Sequence, residues 1–190
     1  MKRLLSLAAS AAMLAAPMSV AHAQGGDPAF DAFQKVCWAT GGDYLAALKA
    51  ADGDGWTETA VADDTQSPFT VTDKAARGKF AAGGGNLTLL VSRGIQHTKG
   101  GDVKVDTCKL TVSKPDAALI GEGKSWLGGV APDAAPDPTL AVYYAKLASG
   151  SPSHITQAAL NDALAAGGFV VLKFQQDSDA GIMVYTAYSK

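Results

Sequence analysis

The first regular pattern of apolar residues along the chain has the spacing of an amphipathic helix. Phe30, Phe33 and Cys37 are three and four residues apart, which places them on one helix face. Thr40–Gly42 ends this helix, and Asp43 caps a second one. Four residues form the predicted buried stripe of the second helix: Tyr44, Leu45, Leu48 and Ala51. The pattern therefore predicts an N-terminal helical hairpin in which Cys37 points inward.

Farther along the chain, the apolar pattern changes from helical spacing to the period of two that is typical of strands. Leu87, Leu89 and Val91 alternate with Thr88 and Ser92. This alternation predicts a strand that packs one face on the core. A polar loop then precedes a second, longer strand.

The second strand changes the parity of its apolar positions partway along. Its apolar residues are odd-numbered at first and even-numbered afterwards: Val103, Val105, Cys108, Leu110 and Val112. A strand that buries a single face changes parity only through an extra residue, so a β-bulge is predicted near Asp106–Thr107. The even positions direct Cys108 to the core, where the inward-pointing Cys37 meets it.

The C-terminal third of the chain is predicted to form two helices and a strand pair. The first helix is capped by Asp137 and opened by Pro138, and its apolar face comprises Leu140, Tyr143, Tyr144 and Leu147. The second helix begins at Ser151 or Ser153 and stops at Gly167-Gly168. Two nearly continuous apolar segments follow, 169–174 and 182–188, which predict strands in the middle of a sheet.

This order of elements predicts an α+β fold. The expected architecture is an antiparallel sheet of about five strands, with the N-terminal helical hairpin and the second helix pair packed on it. A chain of this length fits one domain, predicted to span residues 24–190.

Residues 1–23 have the pattern of a signal peptide. Lys2 and Arg3 precede an apolar run that is too short to span a bilayer. Ala21-His22-Ala23 supplies the small-x-small pattern that signal peptidase cleaves. We therefore predict cleavage after Ala23, a periplasmic or secreted location and no stable insertion into the membrane.

The two cysteines, Cys37 and Cys108, are predicted to form a disulfide. An isolated pair in an oxidising compartment most simply bonds to itself, and neither cysteine belongs to a CxxC or CxxCH motif. A reactive or metal-binding thiol is the alternative. Closing a loop of roughly 70 residues stabilises the fold by about 4 kcal/mol on the chain-entropy model.

The charge gives no reason to expect nucleic acid or anionic lipid as a partner. The formal charge of −2 becomes −4 when Lys2 and Arg3 are removed with the leader. The sequence also indicates no cofactor, and the partner is predicted only as an unknown protein or small molecule.

Two stretches resemble ligand-binding loops but miss essential positions. Gly123-Lys124-Ser125 has the ending of a phosphate-binding loop, but Ala118 occupies the position of its first glycine. Residues 52–58 resemble a calcium loop, but placing Gly55 at the sixth position puts Ala50 and Val61 where ligands are required. We interpret these stretches as a surface turn anchored by Trp126-Leu127 and as an acidic turn followed by a core tryptophan, Trp56. No metal site is predicted.

These observations favour an exported, non-catalytic protein that acts by binding a protein or a small ligand. The alternative is a hydrolase whose site is assembled from distant segments around His154 or His97, the two histidines left after cleavage. No catalytic residue is assigned, since no serine elbow or zinc motif accompanies either histidine. A third possibility is a carrier of apolar ligands, with Tyr143, Tyr144 and the final hairpin lining a cavity.

Overall fold

A computed structural model describes residues 27–61, 68–80, 85–115, 119–146 and 152–190. The predicted signal peptide, residues 1–23, lies outside these ranges and stays a prediction.

The described chain forms one open sheet of seven antiparallel strands, two more than the roughly five that were predicted. The strands are β1 Thr57–Thr59, β2 Thr70–Phe80, β3 Asn86–Thr98, β4 Gly101–Ser113, β5 Leu140–Lys146, β6 Phe169–Gln176 and β7 Ala180–Ser189. Their order across the sheet is β1-β2-β3-β4-β7-β6-β5. Strands β5, β6 and β7 thus return as a meander that ends beside β4.

Four α-helices accompany the sheet, and the mixed content confirms the α+β class. They are α1 Pro28–Phe33, α2 Tyr44–Gly53, α3 Leu119–Trp126 and α4 Leu160–Ala165. Helix α1 continues into a π turn, Gln34–Trp38, and α4 follows a short 3₁₀ turn, Gln157–Ala159. The Asp43 side chain caps α2, as predicted, by accepting a hydrogen bond from the Ala46 N–H. None of the helices in the described ranges is long and apolar enough to cross a membrane.

The core lies between α1 to α3 and one face of the sheet, which we call the covered face. The helical side chains of the buried cluster meet only strand positions on this face, such as Leu89, Leu110, Leu172 and Met183. They share a face because Leu110 lies opposite both Leu89 and Met183, and Leu172 is two residues from Phe174, which also lies opposite Met183. Helices therefore form one layer and the sheet the other.

The predicted disulfide between Cys37 and Cys108 is present and lies inside this core. Both residues are completely buried, and their Cα atoms are 5.4 Å apart. Cys37 comes from the π turn and Cys108 from the middle of β4. The bridge therefore joins the N-terminal helical segment to the centre of the sheet.

The predicted β-bulge near Asp106–Thr107 is wrong. Strand β4 pairs in uninterrupted register with both β3 and β7. Its apolar positions change parity because its two ends bury opposite faces. Cys108 faces the helices, whereas Val105 is buried on the other face. The bulge that does occur lies in β2, between Val71 and Asp73.

The helix predicted after Pro138 is also wrong, since this segment forms strand β5. Ala141, Tyr143 and Ala145 are buried and alternate with less buried residues, as a strand requires. Leu147, the last residue of the predicted helix face, lies outside the described ranges. The pair of C-terminal helices is thereby reduced to α4 and its 3₁₀ turn.

One residue of the predicted stripe on α2 is not buried. Leu45 is 66% exposed, whereas Ala47 and Ala51 are the buried residues of the helix. Tyr44 and Leu48 pack against the core at its margin. The small side chains of α2 bring the helix close to the sheet.

The outer edge of β5 is closed by two short segments of the chain. Asp133 and Ala134 exchange backbone hydrogen bonds with Val142, and Ile155 donates to the Tyr144 carbonyl. The Asp133 carboxylate accepts the Tyr144 N–H at 2.9 Å. These contacts occupy backbone groups that an edge strand otherwise exposes to pairing with another chain.

Asp54 forms ion pairs that connect the N-terminal helical segment to β2. Its carboxylate pairs with Lys35 and, at 2.8 Å, with Lys79, and it accepts a hydrogen bond from the Trp56 indole. The Lys35 and Lys79 ammonium groups lower the pKa of Asp54 from 3.8 to about 2. Trp56 is 4% exposed, which confirms its prediction as a core residue.

We expect Asp54→Asn to lower the free energy of unfolding by about 1 kcal/mol at neutral pH, a value that allows for solvent screening. A lowered folded-state pKa stabilises the fold above the unfolded pKa near 3.8. The difference between variant and wild type should therefore shrink as pH falls from about 4 toward 2. Urea denaturation at pH 6 and pH 3 checks this, with the exposed Asp179→Asn as control. An equal difference at both pH values would contradict the expectation.

Candidate ligand-binding face

The second face of the sheet, which we call the open face, has an unusual charge distribution. It is made of the strand positions that point away from the helices, and every charged residue among them is a lysine: Lys74, Lys109, Lys146 and Lys173. The strand positions of this face include no aspartate or glutamate. Strand acids such as Asp106 and Asp73 project toward the covered face instead. The open face is thus positive although the chain as a whole is slightly acidic.

Strand register aligns two of these lysines in a single row. Lys109 of β4 and Lys173 of β6 lie on either side of Val184 of β7. Leu90 of β3 extends the same row beyond Lys109. Adjacent strands are about 4.8 Å apart, so the two lysine Cα atoms are separated by roughly 10 Å.

Hydroxyl side chains occupy the next row of the open face. Ser92, Thr107 and Thr186 lie opposite one another on β3, β4 and β7. The Thr107 and Thr186 hydroxyls are 3.4 Å apart. Ser92 is 8% exposed, and within the described ranges its hydroxyl has no hydrogen-bond partner.

Aromatic and apolar side chains form the following row and one wall. Tyr188 of β7 lies opposite Val105 of β4, and its ring stacks on Phe169 at 4.9 Å. Burial raises the pKa of Tyr188, so its phenol is neutral at physiological pH. Phe69 covers Gly94 so closely that a Cβ at Gly94 would lie 2.6 Å from the ring. Only glycine lets the segment before β2 lie this low over the sheet.

These rows enclose a groove of about 400 Å³ on the open face. The lysine row, the hydroxyl row and the aromatic wall all contribute side chains, among them Lys109, Lys173, Ser92, Phe69 and Tyr188. Lys109 and Lys173 are half-buried, and neither has an ion-pair partner within the described ranges. Lys74 also lines the groove, which therefore combines three lysine side chains with hydroxyl donors and an apolar surface.

Arg77 and Arg93 of the sheet form ion pairs on the covered face, away from the groove. Arg93 projects to the covered face, where it pairs with Asp106 at 2.8 Å and with Asp43 at 2.6 Å. Arg77 pairs with Asp52 at 2.7 Å. These carboxylates raise the pKa of both guanidinium groups, which remain charged structural links between α2 and the sheet.

Each of the two candidate histidines lies beside an aspartate. His97 is exposed at the β3–β4 hairpin, with its Nδ1 2.7 Å from the Asp102 carboxylate. His154 is half-buried, with its Nε2 3.0 Å from the Asp133 carboxylate. That carboxylate also accepts the Tyr144 N–H, so the His154–Asp133 pair joins the two segments that close the β5 edge. Within the described ranges, no serine or threonine hydroxyl is bonded to either ring.

The two motif-like stretches have structural roles. Gly123-Lys124-Ser125 belongs to helix α3, not to the predicted surface turn, and a Cβ at Gly123 would lie 2.8 Å from the Phe174 ring. Ala118 lies outside the described ranges. Trp126 and Leu127 do anchor this segment in the core. In the acidic stretch, Asp52 and Asp54 bind basic side chains, and the described ranges contain no cluster of three or more metal-ligating residues.

The two tyrosines proposed to line an apolar cavity point to opposite sides of the sheet. Tyr143 is completely buried beneath the helices, where its ring contacts Phe174. Tyr144 is the next residue of the same strand and therefore projects to the open face. The predicted cavity lined by both residues is wrong.

Of the groove residues, only those of the final hairpin belong to the cavity that the sequence suggested, and none of the lysines was assigned a role in binding. Lys109 and Lys173 are far apart in the chain, and only the register through β7 aligns them. One signal was present in the sequence. Each lysine stands between two apolar residues of its strand, as Lys173 does between Leu172 and Phe174. In a strand, such a lysine points to the face opposite its two neighbours.

No protein-family model matches this chain, and neither a curated protein nor a solved structure shows significant similarity to it. What the groove binds must therefore be inferred from its chemistry.

Proposed function

We propose that this protein is an exported, non-catalytic binding protein that holds a small anionic ligand on the open face of its sheet. The observation that carries the proposal is the pair of half-buried lysines, Lys109 and Lys173, on a face whose strand positions bear no carboxylate. Two lysine ammonium groups on a face without a counter-charge favour a bound anion.

Two ordinary roles of surface lysines do not account for this pair. Lysines on edge strands commonly prevent pairing with other chains, but Lys109 and Lys173 lie on the interior strands β4 and β6. Lysines on a solvated surface usually alternate with acids, and here the neighbouring positions carry apolar and hydroxyl side chains. Binding of an anion explains both departures.

Export is supported by the leader pattern of residues 1–23 and by the buried disulfide. A structural disulfide between Cys37 and Cys108 is compatible with an oxidising compartment outside the cytoplasm. In that compartment a binding protein meets nutrients, metabolites and envelope components. The alternative of a reactive or metal-binding thiol does not apply, since Cys37 and Cys108 are bonded to each other.

Anilinonaphthalene sulfonate, a fluorescent anion with an apolar body, provides a direct test. We expect saturable binding that the Lys109→Gln/Lys173→Gln variant weakens about tenfold, because each charge contributes on the order of 0.5–1 kcal/mol. Fluorescence titration at low and high salt measures this, and salt should weaken binding to the wild type more than to the variant.

The matched control is Lys49→Gln/Lys124→Gln, which removes the same charge from exposed positions on α2 and α3. This control should bind the probe as the wild type does. If both double variants lost the same affinity for the probe, the loss would be an effect of net charge, and this result would contradict the proposal. The uncharged analogue phenylnaphthylamine should not distinguish the wild type from either variant.

A hydrolase centred on His154 or His97 is the alternative. The observation in its favour is that each ring nitrogen contacts a carboxylate, the arrangement that orients a catalytic base. Turnover of chromogenic esters or glycosides by the wild type, abolished by His154→Gln or His97→Gln, would replace the binding proposal. We expect no such turnover, because the groove lining includes neither histidine.

A further inference from the structure

We infer that the ligand is an amphiphilic monocarboxylate, with its carboxylate between Lys109 and Lys173 and an apolar body that extends over two rows of the face, roughly 14 Å, toward Tyr188 and Phe69. This inference rests on the proposed function and specifies the class of ligand.

The position of the head group follows from the lysine row. The Lys109 and Lys173 stems extend from opposite sides of Val184, so their ammonium groups can converge on one anion above it. Bidentate recognition of phosphate is typical of arginine, and helix N-termini also bind phosphate, whereas lysine binds carboxylate and phosphate as a point charge. Among the described residues, the groove lining contains no arginine and no helix residue. Two point charges with neighbouring hydroxyls suit a carboxylate.

The length and polarity of the body follow from the spacing of the rows. Successive rows on a strand are two residues apart, roughly 7 Å. The hydroxyl row lies one step from the lysines, and the row that contains Tyr188 lies two steps away. The carboxylate and the first methylene groups of the ligand therefore lie over Val184, and the rest of the apolar part passes the hydroxyl row and ends against the aromatic wall.

The size of the groove fits a small molecule. Its volume of about 400 Å³ is near the lower end of the range for small-molecule sites. Phe69 and Tyr188 lie at the same end of the groove, where Phe69 covers Gly94 and Tyr188 lies opposite Val105. A medium-chain fatty acid or an aryl alkanoate has the required head, length and polarity.

Calorimetric titration with acetate, hexanoate and decanoate tests this inference. We expect the affinity to rise by about two- to fourfold per methylene and to level off near decanoate, once the groove is filled. Decylamine and decanol should bind at least tenfold more weakly than decanoate. Lys109→Gln/Lys173→Gln should weaken every carboxylate, and Lys49→Gln/Lys124→Gln should weaken none.

Two groove variants separate the apolar contribution from the charge. Tyr188→Ser should weaken decanoate about tenfold and leave acetate unchanged, and the near-isosteric Val184→Thr should weaken decanoate about threefold. The second variant keeps the inference testable if Tyr188→Ser lowers the melting temperature below the range of the assay.

The possible failures are distinguishable. The inference would be overturned if acetate or inorganic phosphate bound as tightly as decanoate, or if no alkanoate bound at millimolar concentration. Either result would leave the anion-binding proposal unchanged. Decanoate binding that the two-lysine variant leaves unchanged would contradict the proposed function itself. A dimer that the two-lysine variant dissociates would identify a second copy of the chain as the occupant, and would overturn both.

Discussion

Replacing both cysteines, as Cys37→Ala/Cys108→Ala, is expected to lower the free energy of unfolding by about 4 kcal/mol. The bridge closes a loop with a sequence separation of 71 residues, and both sulfur atoms are completely buried. Without the bridge, the unfolded chain gains conformational freedom, and the helices lose their covalent link to β4. Urea denaturation followed by circular dichroism measures the change. This loss is a large share of the stability of a typical domain, so the variant is expected to unfold at a markedly lower urea concentration.

Alanine also removes two buried sulfur atoms, so the effect of the cross-link must be separated from that of packing. Unfolding the wild type with and without a reducing agent keeps every side chain and changes only the bond. We expect most of the loss to appear in this comparison as well. A difference below about 1 kcal/mol would show that the bridge constrains the unfolded chain far less than the entropy model requires.

Phe174→Ala is expected to lower the free energy of unfolding by a similar amount, about 4 kcal/mol. The Phe174 ring contacts Phe30, Phe33 and Tyr143, and Gly123 of α3 packs directly against it. Its removal would leave a cavity where α1, α3 and the sheet meet, and all of the surrounding groups are held by other contacts. Thermal and urea unfolding of the purified variant provide the measurement.

Phe80→Ala is the matched control because Phe80 is 83% exposed. The same substitution should there change the stability by less than about 0.5 kcal/mol. A loss of more than about 2 kcal/mol at Phe80, or of less than about 1 kcal/mol at Phe174, would contradict the location of the core.

The sequence predicted well those features that depend on short spacings. Helical spacing around Phe33 and strand spacing around Cys108 each identified a buried face, and the two faces meet at the disulfide. Asp43 and Trp56 were recognised because a cap and a buried aromatic residue have local signals. These features reflect the geometry of a few consecutive residues.

The error at β5 shows why such patterns can mislead. Leu140, Tyr143 and Tyr144 have the spacing of a helix face, whereas the buried positions of the strand include the small Ala141 and Ala145. Alanine contributes little to an apolar pattern, so the period of two was hidden. Pairing with β6 decided the conformation of this segment, because all seven residues of β5 pair with residues of β6.

The predicted bulge in β4 failed for a related reason. A change of parity requires a bulge only in a strand that buries a single face along its whole length. Val105 is instead buried on the open face, near the end that Phe69 covers, while Cys108 is buried under the helices. Which face is covered at each end depends on distant segments, and the ladder itself is regular.

The sequence by itself determined the α+β class, the first two helices, the final hairpin and the pairing of the cysteines, because periodicity and capping act over a few residues. Only the tertiary structure decided the strand order and the row that contains Lys109 and Lys173. Their alignment depends on β7 pairing with both β4 and β6, a long-range contact that no local spacing encodes. The groove exists because backbone hydrogen bonds across three strands fix which side chains become neighbours.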